Sequence, residues 1–199
     1  LASLLTIAGE HPRFPTVPVA YFPFDAAITA PQVQDVIPAD TSSNILLVDI
    51  DPDSPERGKL FPTIAKLPNP DVYVPDNLLA VASFPGIVLN PVRTYAFVVM
   101  RCLGDATGAP LGSPLEFEKV KLGQVPAGAE GLAAQYKPLW ETLKTLGVDK
   151  GEVAAATVFT TGDVVKATFD LSQHVVENYD VSLGNLAVDP DDGADHDRF

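Results

Sequence analysis

The apolar positions divide the chain into an extended, proline-punctuated front and a more helical rear. Ser43 to Asp51 runs Ser-Asn-Ile-Leu-Leu-Val-Asp-Ile-Asp. Its apolar block, Ile45 to Val48, predicts a strand that ends in the turn Asp51 to Gly58. Lys59 to Ile64 is then expected to pair back as its hairpin partner. Tyr95 to Met100 is aromatic and β-branched and predicts a strand buried on at least one face. Gly104-Asp105-Ala106-Thr107-Gly108 reads as a tight turn, since Asp bonds its own backbone and Gly accepts positive φ. Pro110-Leu111 begins another extended piece, so Leu89 to Leu111 is expected to form a β-hairpin-like unit of an antiparallel sheet. Pro12, Pro15, Pro18 and Pro23 forbid a helix over His11 to Asp25 and predict extended edge structure with its aromatics anchored in the core. Asn77 to Ser83 reads as a strand or a short helix, and Leu1 to Glu10 as a short strand, a short helix or the remains of a leader-proximal linker.

Behind Leu115 the period changes. Leu132, Tyr136, Leu139, Leu143 and Leu146 recur at three and four, which predicts a helix over Gly128 to Leu146. Pro138 is expected to kink or split it, and Gly147 to end it. Glu152 to Thr161 reads as a strand. Asp163 is a candidate N-cap for a second helix, Val164 to Asn178. From Ser182 the pattern is lost. The expected fold class is mainly β with α+β character in the C-terminal third. The organisation read from the sequence is an N-terminal extension (1–16), a β-sandwich (17–181) with a helical insertion near 128–147, and an acidic loop or linker (182–199).

Composition narrows the function classes. Apolar residues make up 46% of the 199, enough for a real core. A net charge of −13 argues against nucleic acid and against anionic membrane surfaces. It fits a divalent cation or a basic partner. No apolar run reaches membrane-spanning length, so no transmembrane segment is expected. The single cysteine, Cys102, excludes an internal disulfide and reads as a small core residue. The chain opens at Leu1 without a signal-peptide pattern, as a trimmed exported protein or an excised fragment would.

Two acidic groups are candidate calcium sites. Asp49, Asp51 and Asp53, with Glu56 beyond, alternate along an extended segment, so their carboxylates share a side. The EF-hand offsets are not met, and a polar hairpin turn is the commoner use of such residues. Asp189, Asp191 and Asp195, with Asp192 and Asp197, follow D-x-D-D-G-x-D-x-D, which loosely resembles the acidic calcium loops of extracellular repeats. Charge runs are more often simply solvated. His11, His174 and His196 show no zinc-ligand spacing. There is no Gly-x-Ser-x-Gly elbow and no phosphate-cradling glycine loop. No catalytic residue is assigned.

Leu89-Asn-Pro-x-x-x-Tyr95, then Val98-Val99, then Gly104-Asp105-x-x-Gly108-x-Pro110-Leu111, resembles the signature of bacterial Ig-like domains of secreted and surface proteins. Phe159-Thr160-Thr161 resembles their closing strand. The Gly128 to Gly147 segment and the strand and turn Leu47 to Gly58 resemble the variant that precedes the α/β-hydrolase domain of some secreted bacterial lipases and esterases. The resemblance covers roughly Val17 to Val176. It implies an Ig-like β-sandwich and a non-catalytic accessory or spacer module, extracellular or at the cell surface. The implied partner is an adjacent domain of the same polypeptide or a surface partner. The resemblance leaves two alternatives: part of an esterase completed by a downstream domain, or a calcium-dependent adhesion module. The turn near Asp49 to Glu56 and the Gly128 to Leu146 helix are the candidate contact regions.

Overall fold

A computed structural model describes residue 9 and residues 13–125, 128–129, 131–180 and 184. The strands in chain order are β1 (Val19–Pro23), β2 (Ile45–Asp49), β3 (Leu60–Phe61), β4 (Thr63–Lys66), β5 (Leu78–Ser83), β6 (Thr94–Met100) and β7 (Val153–Thr160). The helices are α1 (Leu115–Lys121), α2 (Gly131–Thr145) and α3 (Val164–Asn178).

Side chains alternate across a strand, so one apolar run can serve two cores. β2 is buried at all five positions. Its Ile45 and Leu47 face one core, while Leu46 and Val48 face a second. β6 divides in the same way, with Tyr95, Phe97 and Val99 on one side and Ala96, Val98 and Met100 on the other. The two strands pair antiparallel, with Leu47 opposite Phe97. They are the centre of a four-stranded sheet ordered β3-β2-β6-β7. A three-stranded sheet, β1-β5-β4, is also antiparallel throughout.

The first core joins the two sheets: Phe22, Leu79 and Val81 from the smaller meet Leu47, Tyr95, Phe97 and Phe159 from the larger. The rings of Phe97 and Phe159 stack with centroids 5.4 Å apart. The second core covers the opposite face of the larger sheet. There Leu139 and Leu143 of α2 are fully buried, and Phe117 of α1 packs beside Tyr136 and Trp140. The protein is thus sheet-rich, with two antiparallel sheets and a few helices.

Several expectations change. The segment after β6 does not return as a strand. Arg101–Leu103 forms a 3-10 turn, and Leu111 N–H donates back to Arg101 O at 2.9 Å. The Asp105 turn forms, but the neighbours of β6 are β2 and β7, both distant in sequence. Lys59 to Ile64 is not one hairpin arm: only β3 pairs with β2, and after Pro62 the chain crosses to the other sheet as β4. Along the front, Phe22 is buried but Phe14 and Tyr21 are exposed, because alternation turns Tyr21 outward. Cys102 is exposed on the 3-10 turn. α2 runs as one helix with Pro138 inside it.

By compactness the chain forms two units, Leu1–Asp163 and Val164–Phe199. In the second, α3 exposes Val165, Phe169 and Val176. Among the described residues no helix is long and apolar enough to cross a membrane.

Candidate functional site

The 51–58 loop is built around one buried carboxylate. Asp49 ends β2 with no solvent exposure, and a charge in that position must be hydrogen-bonded. Its Oδ1 accepts from Asp51 N–H at 3.0 Å and its Oδ2 from the Ser54 hydroxyl at 2.7 Å. Asp51 repeats the device one step out. Its Oδ1 accepts from Asp53 N–H at 2.9 Å, and its Oδ2 from Thr94 N–H at 3.0 Å, which ties the loop to the start of β6. Arg93 Nη1 donates to Ser54 Oγ, which also accepts from Glu56 N–H at 3.1 Å. Gly58 closes the loop at φ +90°, its N–H donating to Asp49 O at 2.8 Å; a side chain there would be strained.

Arg57 carries the loop across to α2. Its Nε donates to Thr142 Oγ1 at 3.0 Å, and its Nη2 to Glu141 Oε2 at 3.1 Å and to Pro138 O at 3.3 Å. The two candidate contact regions are therefore one surface. On its other flank Glu56 pairs with Lys59 at 2.6 Å and accepts from Asn90 Nδ2 at 3.1 Å. The Lys59 hydrogen bond holds the Glu56 carboxyl below its ordinary range, against a smaller opposing effect of desolvation.

Beside this loop the chain turns a corner into β6. Asn90 N–H donates to the Tyr95 hydroxyl at 3.1 Å. Thr161 Oγ1 donates to Asn90 O at 2.7 Å and accepts from Arg93 N–H at 3.0 Å. Burial pushes the Tyr95 hydroxyl above its ordinary pKa.

The chemistry of this surface is that of a clasp. Ser54 is buried, its hydroxyl donates to Asp49 and its oxygen accepts from Arg93 and from Glu56 N–H, so the side chain serves as a link that holds the loop together. The oxygens of Asp49 and the carboxylate of Asp51 serve amides and a hydroxyl of their own loop and β6. Among the described residues no three His, Cys, Asp or Glu side chains are grouped to hold a metal ion. Asp189, Asp191 and Asp195 lie outside the described residues, as do His11 and His196. His174 sits on α3 beside Asn178.

Sequence reasoning missed Arg57, Arg93 and Thr142. Their partners lie 39 to 85 residues away, and no local spacing announces them. Tyr95 was visible through the Leu-x-Pro-x-x-x-Tyr spacing. Comparison with family models, with curated proteins and with solved structures finds no match to this chain.

Proposed function

We propose that the chain is a non-catalytic Ig-like accessory module of an exported bacterial protein, the front part of a lipase- or esterase-type hydrolase. The observation that carries the Ig-like part is the Tyr95–Asn90 corner. An Ig-type sandwich typically places a tyrosine near the start of its sixth strand, with the hydroxyl bonded to backbone a few residues upstream. Tyr95 is the second residue of β6, and its hydroxyl takes the Asn90 amide. Strand order supports the same reading. β1-β5-β4 and β3-β2-β6-β7 correspond to the B-E-D and C′-C-F-G sheets of that architecture. The bridge of Phe14 to Thr161, parallel and beside β7, is where its first strand meets its last.

The module's work is presentation. The clasped loop and α2 form a preorganised surface on which a neighbouring domain docks without reordering either element, and preorganisation lowers the cost of binding. Reading the coding sequence past Phe199 tests the parentage. A downstream Gly-x-Ser-x-Gly with a later acid and His is expected, and a stop codon there sinks the hydrolase assignment. The longer polypeptide then tests the docking surface. Glu141→Lys with Arg57→Glu is expected to leave the isolated module folded and to lower the thermal midpoint of the two-domain protein. An unchanged midpoint removes this surface from the interface.

A further inference from the structure

The end of the sandwich opposite in character to the clasp holds a cleft of about 380 Å³. Its wall is apolar, with Phe24, Ile28, Leu111 and Ala155 among its residues, and it carries two carboxylates, Asp25 and Asp105. Among the described residues no Lys, Arg or His lines it.

The cleft is stitched rather than merely enclosed. Thr29 N–H donates to Gly104 O and Ala106 N–H to Ala27 O, each at 3.0 Å. Thr29 Oγ1 adds a bond to Asp105 O at 2.9 Å. These fix the 27–29 segment, two residues after Asp25, against the turn that carries Asp105. Asp105 Oδ1 is occupied by Thr107 N–H, Thr107 Oγ1 and Ala109 N–H at 2.7 to 2.9 Å. The Gly108 amide adds to the donors on this carboxyl, and Asp25 is exposed. The turn's own donors, the Thr107 hydroxyl first, hold the Asp105 carboxyl below its ordinary range.

We propose that this cleft binds a small molecule with an apolar body and a cationic amine or guanidine. The body gains by leaving water against Phe24, Ile28 and Leu111. The cation meets the carboxylates of Asp25 and Asp105 at the rim of the apolar wall, and opposite charges attract there. A neutral compound of the same shape gains only the first term, and an anion is repelled. The proposal does not rest on the accessory-module reading, which stands on the Tyr95 corner and the strand order.

The test is a backbone-amide NMR titration of the whole 199-residue chain with 3-phenylpropylamine, 3-phenylpropanol and 3-phenylpropanoate. The amine is expected to shift Ile28, Leu111 and Ala155, binding about tenfold more tightly than the alcohol, with no response to the acid. Asp25→Asn with Asp105→Asn keeps the Oδ1 acceptor of the turn and is expected to bring the amine to the level of the alcohol. Ala155→Leu fills the cleft and is expected to abolish both. Equal binding of the three compounds, no binding at millimolar amine, or shifts centred elsewhere each overturn the proposal. Retained amine selectivity in the double Asn variant overturns it as well.

Discussion

At the scale of single residues, Tyr95 does two separable things. Its ring fills the first core, packed with Phe61 and Phe159 at centroid distances of 5.9 and 6.0 Å. Its hydroxyl receives the Asn90 amide. Tyr95→Phe keeps the ring and frees an amide that is partly open to water, so it is expected to cost about 1 kcal/mol. Tyr95→Ala is expected to cost about 3–5 kcal/mol. Urea unfolding distinguishes the two, and equal losses would show that the corner bond, not the ring, sets the stability. Glu118 offers a pH test. Lys121 Nζ and Arg101 Nη2 reach its Oε1 at 2.7 and 2.8 Å. The Lys121 hydrogen bond is the largest influence holding the carboxyl below its ordinary 4.5. A carboxyl whose folded pKa is depressed stabilises the fold above its unfolded pKa and loses that contribution as pH falls through the folded value. The stability gap between the parent and Glu118→Gln should therefore be constant at neutral pH and narrow below pH 4.5. A gap that does not change down to acid unfolding would show that the ion pair contributes nothing. Tyr95 was legible in the sequence because its spacing from Leu89 is local. The buried role of Asp49 was not. An Asp two residues from another Asp reads as a surface turn until β6 is known to close over it.

At the scale of elements, α2 is held by unlike contacts on two sides. Leu139 and Leu143 are fully buried against the larger sheet, and Leu143→Ala is expected to cost about 2–5 kcal/mol. Arg57 and Glu141 are partly exposed, so their direct coupling in a double-mutant cycle should be below about 1 kcal/mol. Arg57→Ala should nonetheless cost more than Glu141→Ala, because Arg57 also serves Thr142 Oγ1 and Pro138 O. The reverse order would mean that the loop is not what positions the helix. Periodicity revealed α2 because five apolar positions repeat over four turns. It did not reveal α1, whose seven residues bury one apolar side chain, Val120, beside the buried Lys121, with Phe117 partly buried. The expected hairpin failed for a related reason. Asp105 and Gly108 made their turn as their chemistry requires, but Arg101 is bonded to Leu111 O, Gly151 O and Glu118. Those long-range partners decide where the chain goes after β6, and β7 takes the place a hairpin partner would have had.

At the scale of the whole molecule, the buried members of both cores lie, among the described residues, between Ala20 and Phe159. β7, the bridge of Thr161 to Phe14 and the corner bonds from Thr161 all precede Val164. The second unit begins at Val164 and carries eight acidic and two basic residues, so ending the chain at Asp163 takes the net charge from −13 to −7. Excess like charge destabilises a compact state through self-repulsion, and salt screens that repulsion. Two expectations combine in the chain ending at Asp163. It should unfold in urea with the slope expected for a smaller cooperative unit and with a midpoint no lower than that of the full chain. At low ionic strength its thermal midpoint should equal or exceed that of the full chain, and the difference should shrink as sodium chloride is raised. A midpoint that falls on truncation at every salt concentration would show that residues beyond Asp163 contribute packing to the fold. The stretch that follows β7 would then contribute to the stability of the two-sheet unit rather than stand as a separate one.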